Sequence, residues 1–175
     1  MAEKFKNKYR ISSTRLPGYD YGRNGAYFVT MNTKYRHHYF GNIVGAGHLK
    51  KMIFSEMGRI ANEFWMQIPG HFNFVRLDAF QVMPDHLHGI IIIDKGDDGG
   101  SLGKLITEYR NAFAPQSKNL ASIIRGFKAG VKTFAVKNNI PFFWQERFHD
   151  HIIQNQEEFQ RIRKYILENV SKWKR

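Results

Sequence analysis

Met83-Pro84-Asp85-His86-Leu87-His88-Gly89-Ile90-Ile91-Ile92-Ile93 is the stretch whose reading sets the rest of the chain in order. Pro-Asp is turn chemistry, and the apolar run behind it has the length and composition of a strand. Phe72 to Met83 also reads as a strand, so the two predict a hairpin across the Pro-Asp turn. Strand residues two apart share a face. His86 and His88 therefore point one way and Leu87 the other. Two imidazoles whose backbones lie about 6.6 Å apart can converge on one divalent ion. A His-x-His pair also arises by chance and often serves as a hydrogen-bonded polar patch at a strand edge, so the pair alone leaves both readings open.

Working outward, Ala26 to Met31 has strand composition, and His48 to Ile68 carries apolar residues at helical spacing, stopped by Pro69-Gly70. Leu120, Ile123, Ile124, Phe127, Val131 and Phe134 mark a second amphipathic helix, halted by Asn138-Asn139 and Pro141. Phe142 to Ile153 reads as a further strand. Asn155, with Glu158 three residues on, resembles the capping box of a last helix running to about Ser171. The order strand, helix, strand, strand, helix, strand, helix is the split βαβ pattern. It predicts an α+β, ferredoxin-like (RRM-like) antiparallel sheet, with the first two helices on one face and one extra C-terminal helix. One domain over residues 1–175 is expected, with a basic N-terminal arm at 1–25 and a loop-rich connection at 94–118.

The 175 residues are enough for one sizeable core, and fifteen Phe, eight Tyr and three Trp make that core rich in rings. A formal charge of +12 favours a polyanionic partner, most simply DNA or RNA. With no cysteine, disulfides, thiolate zinc sites and a cysteine nucleophile are excluded. The start, MAEKFKNKYR, does not read as a secretory signal, and the aliphatic run at Ile90–Ile93 is too short to span a bilayer. A soluble cytoplasmic protein with no membrane partner is the expectation.

On the last helix Phe159, Ile162, Ile166 and Val170 form the apolar stripe, and Tyr165 flanks it. Asn169 lies one turn after Tyr165 on the same face. Arg161, Arg163, Lys164 and Lys172 surround the pair with positive charge. A tyrosine hydroxyl can attack a phosphodiester, but its free pKa near 10 makes it a weak nucleophile without cations or a metal to assist. A helix-flank residue covering the sheet is the plainer reading of such a tyrosine.

Three segments in this order, M-P-D-H-L-H, F-W-Q-E-R-F-H-D-H-I-I and R-K-Y-I-L-E-N, resemble the single-tyrosine HUH transposases (His, bulky hydrophobic, His), and most of all the REP-associated tyrosine transposase branch. The N-terminal R-L-P-G-Y-D-Y and A-Y-F-V-T-M are similar to the start of such proteins, so the resemblance runs from about Arg15 to Asn169. It implies His86 and His88 as metal ligands, Tyr165 as nucleophile and Asn169 as third ligand, with Mg²⁺ or Mn²⁺ as the ion. It implies cleavage of single-stranded DNA near a hairpin, with the 5′ end kept on the tyrosine and a free 3′ hydroxyl released. It is compatible with a monomer or a homodimer and implies a bacterial, nucleoid-associated setting. The chain departs from the pattern at Val170, where many members have proline after the asparagine.

Lys34, Arg36, His37 and His38 with Tyr35 and Tyr39 make an expected patch for backbone charge and base stacking. The stripe Arg125, Lys128 and Lys132 is expected to hold a hairpin's phosphates, and Arg147 and Arg161 are expected to add contacts. An ordinary solvated basic face is the other reading of each cluster. His149-Asp150-His151 is a second His-x-His, for which a structural or DNA-contacting role is expected rather than a metal. Two other functions stay open: a hairpin-binding module without chemistry, and a metal nuclease whose nucleophile is water.

Overall fold

The computed structural model describes residues 18–96 and 118–174, together with two short N-terminal strands, β1 (Lys4–Phe5) and β2 (Lys8–Tyr9), paired as a hairpin. The remainder of the expected arm, and all of the expected 94–118 connection except 94–96 and 118, lie outside the described residues. The main sheet is built from β3 (Gly25–Asn32), β6 (Val75–Met83), β7 (His86–Ile93) and β8 (His149–Ile153). Its order is β6-β7-β3-β8 and every pairing is antiparallel. A smaller hairpin, β4 (Gly41–Val44) with β5 (Lys51–Phe54), is inserted before the first helix. The helices are α1 (Glu56–Met66), the single turn α2 (Ile68–His71), α3 (Leu120–Lys137) and α4 (Gln156–Lys172). Apart from the inserted hairpin, this is the expected ferredoxin-like arrangement.

Strand alternation divides the side chains of the sheet between two layers. Tyr27, Val29 and Met31 of β3 and Leu87, Ile91 and Ile93 of β7 face α1 and α3, and are buried with Trp65, Ile123, Phe127 and Val131. Trp65 meets Phe127 edge-to-face at 5.3 Å, which locks α1 to α3. On the opposite face Ile90 and Ile153 pack with Ile162 and Ile166 of α4, with Phe28 and Phe159 at the margin. The ion pair of Arg163 with Asp78 (3.0 Å) ties α4 to the edge strand β6.

Two segments differ from expectation. The helix expected from His48 begins only at Glu56, because Lys51–Phe54 is a strand. Met52, Ile53 and Met57 fit a helical repeat, but residues 51–54 also alternate outward and inward, and the inward pair Met52 and Phe54 packs on the core. Ser55 then fixes the start: its hydroxyl accepts from the Gly58 amide (3.1 Å) and donates to the Tyr39 carbonyl (2.6 Å). Pro69 does not end a helix but sits in the first turn of α2. The strand expected over Phe142–Ile153 is formed only at His149–Ile153. Residues 142–147 instead follow an irregular path pinned by other backbone and side-chain donors, and Arg147 takes a left-handed φ of 64°. Asn155 caps α4 as expected, through the Glu158 amide, but the Glu158 carboxylate takes the Gln154 amide and the His151 ring.

Gly58 faces the Phe40 carbonyl, the acceptor of the Ser55 amide at the junction of the small hairpin with α1. Alanine is intrinsically better in a helix than glycine by about 1 kcal/mol. Here its Cβ would run into the Phe40 carbonyl oxygen, a backbone atom that cannot swing aside. Gly58→Ala is therefore expected to destabilise the fold, by about 1–3 kcal/mol. Urea unfolding with an unchanged m-value checks it, and a stabilised variant would refute the close approach.

Candidate active site

Met83 pairs directly with His86, so Pro84 and Asp85 alone make the turn between β6 and β7. The turn is held by its carbonyls. Asp85 O accepts from both the Thr33 amide (2.9 Å) and the Thr33 hydroxyl (3.0 Å), and Pro84 O accepts from the Phe40 amide (3.0 Å). Beyond the turn His86 and His88 emerge on the α4 side of the sheet, their rings 5.1 Å apart. Leu87, between them, is buried on the other side.

The Asp85 side chain grips the first histidine, with Oδ1 2.6 Å from His86 Nδ1, while Oδ2 pairs with Arg36 Nε at 2.9 Å. Burial pushes this carboxyl upward, but the hydrogen bond and charge of His86 and the Arg36 guanidinium outweigh it and hold the group below the usual carboxylate range. When His86 is neutral, an Nδ1–H donated to the carboxylate leaves the lone pair on Nε2, the arrangement found behind metal-bound histidines. His88 is only 1% exposed, and its Nε2 has no hydrogen-bond partner. Burial, aided by the charge of His86, pushes His88 down to about 3, so the ring is neutral and able to act as a ligand at neutral pH.

Helix α4 closes over this pair. Tyr165, 51% exposed, has its ring 5.5 Å from His88 and 6.2 Å from Phe28. Trp173, at the end of the helix, lies 5.9 Å from His86, and its carbonyl accepts from the Lys50 ammonium at 2.6 Å. Asn169 stands four residues after Tyr165 and four before Trp173. That spacing sets the half-buried amide on the flank whose two ends rest on His88 and His86. Among the described residues no group of three or more His, Asp or Glu is arranged to hold a metal. An ion at the histidine pair would need an amide or a substrate oxygen to complete its shell. A buried imidazole nitrogen without a partner and a second histidine oriented by a carboxylate fit a divalent ion.

The expected contact residues are scattered. Arg36 supports Asp85, as described. Lys128 donates to the carbonyls of Gln145 (2.8 Å) and Arg147 (2.9 Å), and Lys132 donates to the Phe142 carbonyl (2.7 Å), so both ammoniums brace the irregular 142–147 segment. Burial pushes Lys128 down to about 8. Arg125 is exposed on α3, on the face of the sheet away from the histidines. Arg161 pairs with Glu158 at 3.3 Å. His149 and His151 emerge on the α4 side in register with Thr30 and Phe28, and His151 Nε2 bonds Glu158 at 2.8 Å. Asp85 and Trp173 were missed as site residues. Asp85 had a legible signal, a carboxylate immediately before a candidate ligand, whereas Trp173 had none, because its reach depends on where α4 ends.

No protein-family model matches the chain. A protein of Haemophilus influenzae (strain Rd), described only as uncharacterized, is 36% identical over 165 residues, covering 92% of this chain and 88% of that protein. Among solved structures, a REP-associated tyrosine transposase bound to a REP hairpin overlays with a TM-score of 0.57 at 19% identity, over 93% of this chain and 74% of that one. A Deinococcus radiodurans chain overlays more loosely, with a TM-score of 0.46 at 16% identity over 89% and 97% of the two chains. The fold expected from the motifs is thus the fold observed.

Because His88 is neutral when folded and titrates near 6.5 when unfolded, the unfolded chain binds the extra proton between those values. Stability of the metal-free protein should therefore be fully present above about pH 6.5 and fall as the pH drops below it. His88→Leu should flatten that slope in urea titrations at pH 7, 6 and 5, and an unchanged slope would contradict the assigned burial of a neutral ring.

Proposed function

We propose that this chain, which belongs to the same family as its Haemophilus influenzae relative and has the fold of a REP-associated tyrosine transposase, is a metal-dependent DNA transposase that cuts and rejoins single-stranded DNA near hairpins. The observation that carries the reading is the placing of the Tyr165 ring against His88, whose Nε2 has no protein partner. It supports the reading because a candidate nucleophile and an imidazole nitrogen with an unused lone pair meet at one place.

His86, His88 and Asn169 would hold Mg²⁺ or Mn²⁺. The ion would polarise a phosphate oxygen and neutralise charge in the transition state. Asp85 orients His86 and, through Arg36, is itself held in place. Tyr165 then has the role of nucleophile. Its phenolic oxygen, losing its proton to solvent, attacks phosphorus. The bond from phosphorus to the 3′ oxygen breaks, and that oxygen leaves as a hydroxyl on taking up a proton. The 5′ phosphate remains esterified to Tyr165. Attack by another 3′ hydroxyl on this ester reverses the step, which is why no nucleotide hydrolysis is needed. Among the described residues no helix is long and apolar enough to cross a membrane, and a DNA substrate calls for a cytoplasmic, nucleoid-associated enzyme.

Hairpin DNA pools, labelled at the 5′ or 3′ end, test the reading with Mn²⁺ on denaturing gels. Wild type should form an adduct holding only the 3′-labelled fragment. Tyr165→Phe should form none while binding hairpins within about twofold of wild type. Cleavage surviving in Tyr165→Phe would replace this reading with a water-using nuclease, and binding without cleavage by wild type would replace it with a hairpin-binding module.

A second expectation concerns the carboxylate behind the site. Asp85→Asn should weaken Mn²⁺ binding by about 10–100-fold in calorimetric titration. An unchanged affinity would mean that His86 needs no such support.

A further inference from the structure

We infer that Tyr35 and Phe143, two exposed rings at the His86 end of the sheet, form a base-stacking platform for the unpaired DNA strand that leads into the active site. This deepens the transposase reading and rests on it.

Both rings are open to solvent, Tyr35 at 79% and Phe143 at 49% exposure, whereas the other described Phe, Tyr and Trp rings, Tyr165 apart, are buried or half-buried. They belong to segments joined by main-chain bonds. The Lys34 amide donates to the Phe143 carbonyl (2.8 Å), the Gln145 amide donates to the Asn32 carbonyl (2.9 Å), and Thr33 bridges Trp144. The Lys34 ammonium reaches both rings, 5.2 Å from the Tyr35 centroid and 5.8 Å from that of Phe143. Lys132 lies 4.2 Å from the Phe143 ring. Cations interleaved with exposed aromatic faces suit a single strand, whose phosphates meet the ammoniums while its bases stack. The chain's charge of +12 favours that partner over an acidic peptide of modest charge.

The backbone adds a second observation. Tyr35 and Arg36 both hold left-handed φ values, 55° and 57°, which residues with side chains adopt at a cost. The twist turns Tyr35 out to solvent and Arg36 inward to Asp85. A base on Tyr35 would therefore sit one residue away from the guanidinium that steadies the carboxylate behind His86. Thr33 strengthens this link, because its hydroxyl lies within bonding distance of both the His37 and Asp85 carbonyls. The platform is thus fixed to the turn that presents the histidines, and a strand stacked there would have its next phosphates led toward them. Phe143 does not stand out in the sequence, where its neighbours suggest an ordinary strand.

The test uses the full chain and fluorescence anisotropy with three eight-residue probes: dT8, the same backbone carrying abasic sites, and rU8. Wild type should bind dT8 about tenfold or more tighter than the abasic strand. Tyr35→Ala combined with Phe143→Ala should erase that preference while keeping the salt dependence, since Lys34 and Lys132 remain. Tyr35→Phe with Phe143→Tyr should restore it. Thermal melting of each variant alongside wild type checks that the fold is retained, and crosslinking of iodouracil-substituted strands should label the peptides carrying Tyr35 or Phe143. Equal binding of dT8 and the abasic strand by wild type, or a preference surviving in the double alanine variant, overturns the platform. Tighter binding of rU8 than dT8 overturns its assignment to DNA. Base preference without any tyrosine adduct would uphold the platform and sink the transposase reading; an adduct without base preference would do the reverse.

Discussion

Everything at the site depends on β7 lying inside the sheet with both of its faces covered. Its odd-numbered residues, Leu87, Ile91 and Ile93, belong to the core under α1 and α3, and a one-residue slip would turn the histidines into that core. Burial of the aliphatic side chains therefore fixes the direction of His86 and His88 more firmly than any contact the rings make themselves. Gly89 belongs to the same constraint. A Cβ there would come within 2.8 Å of Trp65 and 2.7 Å of Phe80, so the strand presses against α1 just behind His88.

A buried carboxylate next to two imidazoles is expensive unless paired. Asp85 is paired on both oxygens, and its main-chain carbonyl is held by Thr33, so the costly group sits in a rigid socket. His88 is different: its Nε2 lacks any partner, a cost that the stable core around it must absorb. Two histidines two residues apart thus have unlike surroundings, one oriented by a carboxylate and one left with an unused lone pair. That contrast is easier to understand in a ligand set than in a structural patch.

Much of this was legible in the sequence because the decisive signals were local. The Pro-Asp turn, the alternation after it, the helical stripe of α3 and the Asn155 cap each depend on residues within a few positions, and each formed as expected. The failures share a different cause. Lys51–Phe54 satisfied helical and strand periodicities at once, and the choice was made by the partner strand Gly41–Val44, which the spacing of apolar residues does not reveal. Residues 142–147 look like a strand, but their carbonyls are claimed by Lys128 and Lys132 from α3, a tertiary event. The same fact gives the basic stripe a structural role beside the expected contacts, since two of its three cations also brace residues 142–147. At the site, Tyr165 and the histidines were readable from the motifs, while the Arg36 brace required a left-handed turn that no residue type announced.

Anomalous diffraction at the manganese edge, from crystals of the full chain soaked in Mn²⁺, tests most directly whether these groups make one centre. The account predicts a single strong peak within coordination distance of His86 Nε2 and His88 Nε2, with Asn169 completing the protein ligands and the Tyr165 hydroxyl facing the ion. A peak at His149 and His151 instead, or none at the β7 pair under saturating Mn²⁺, would contradict it.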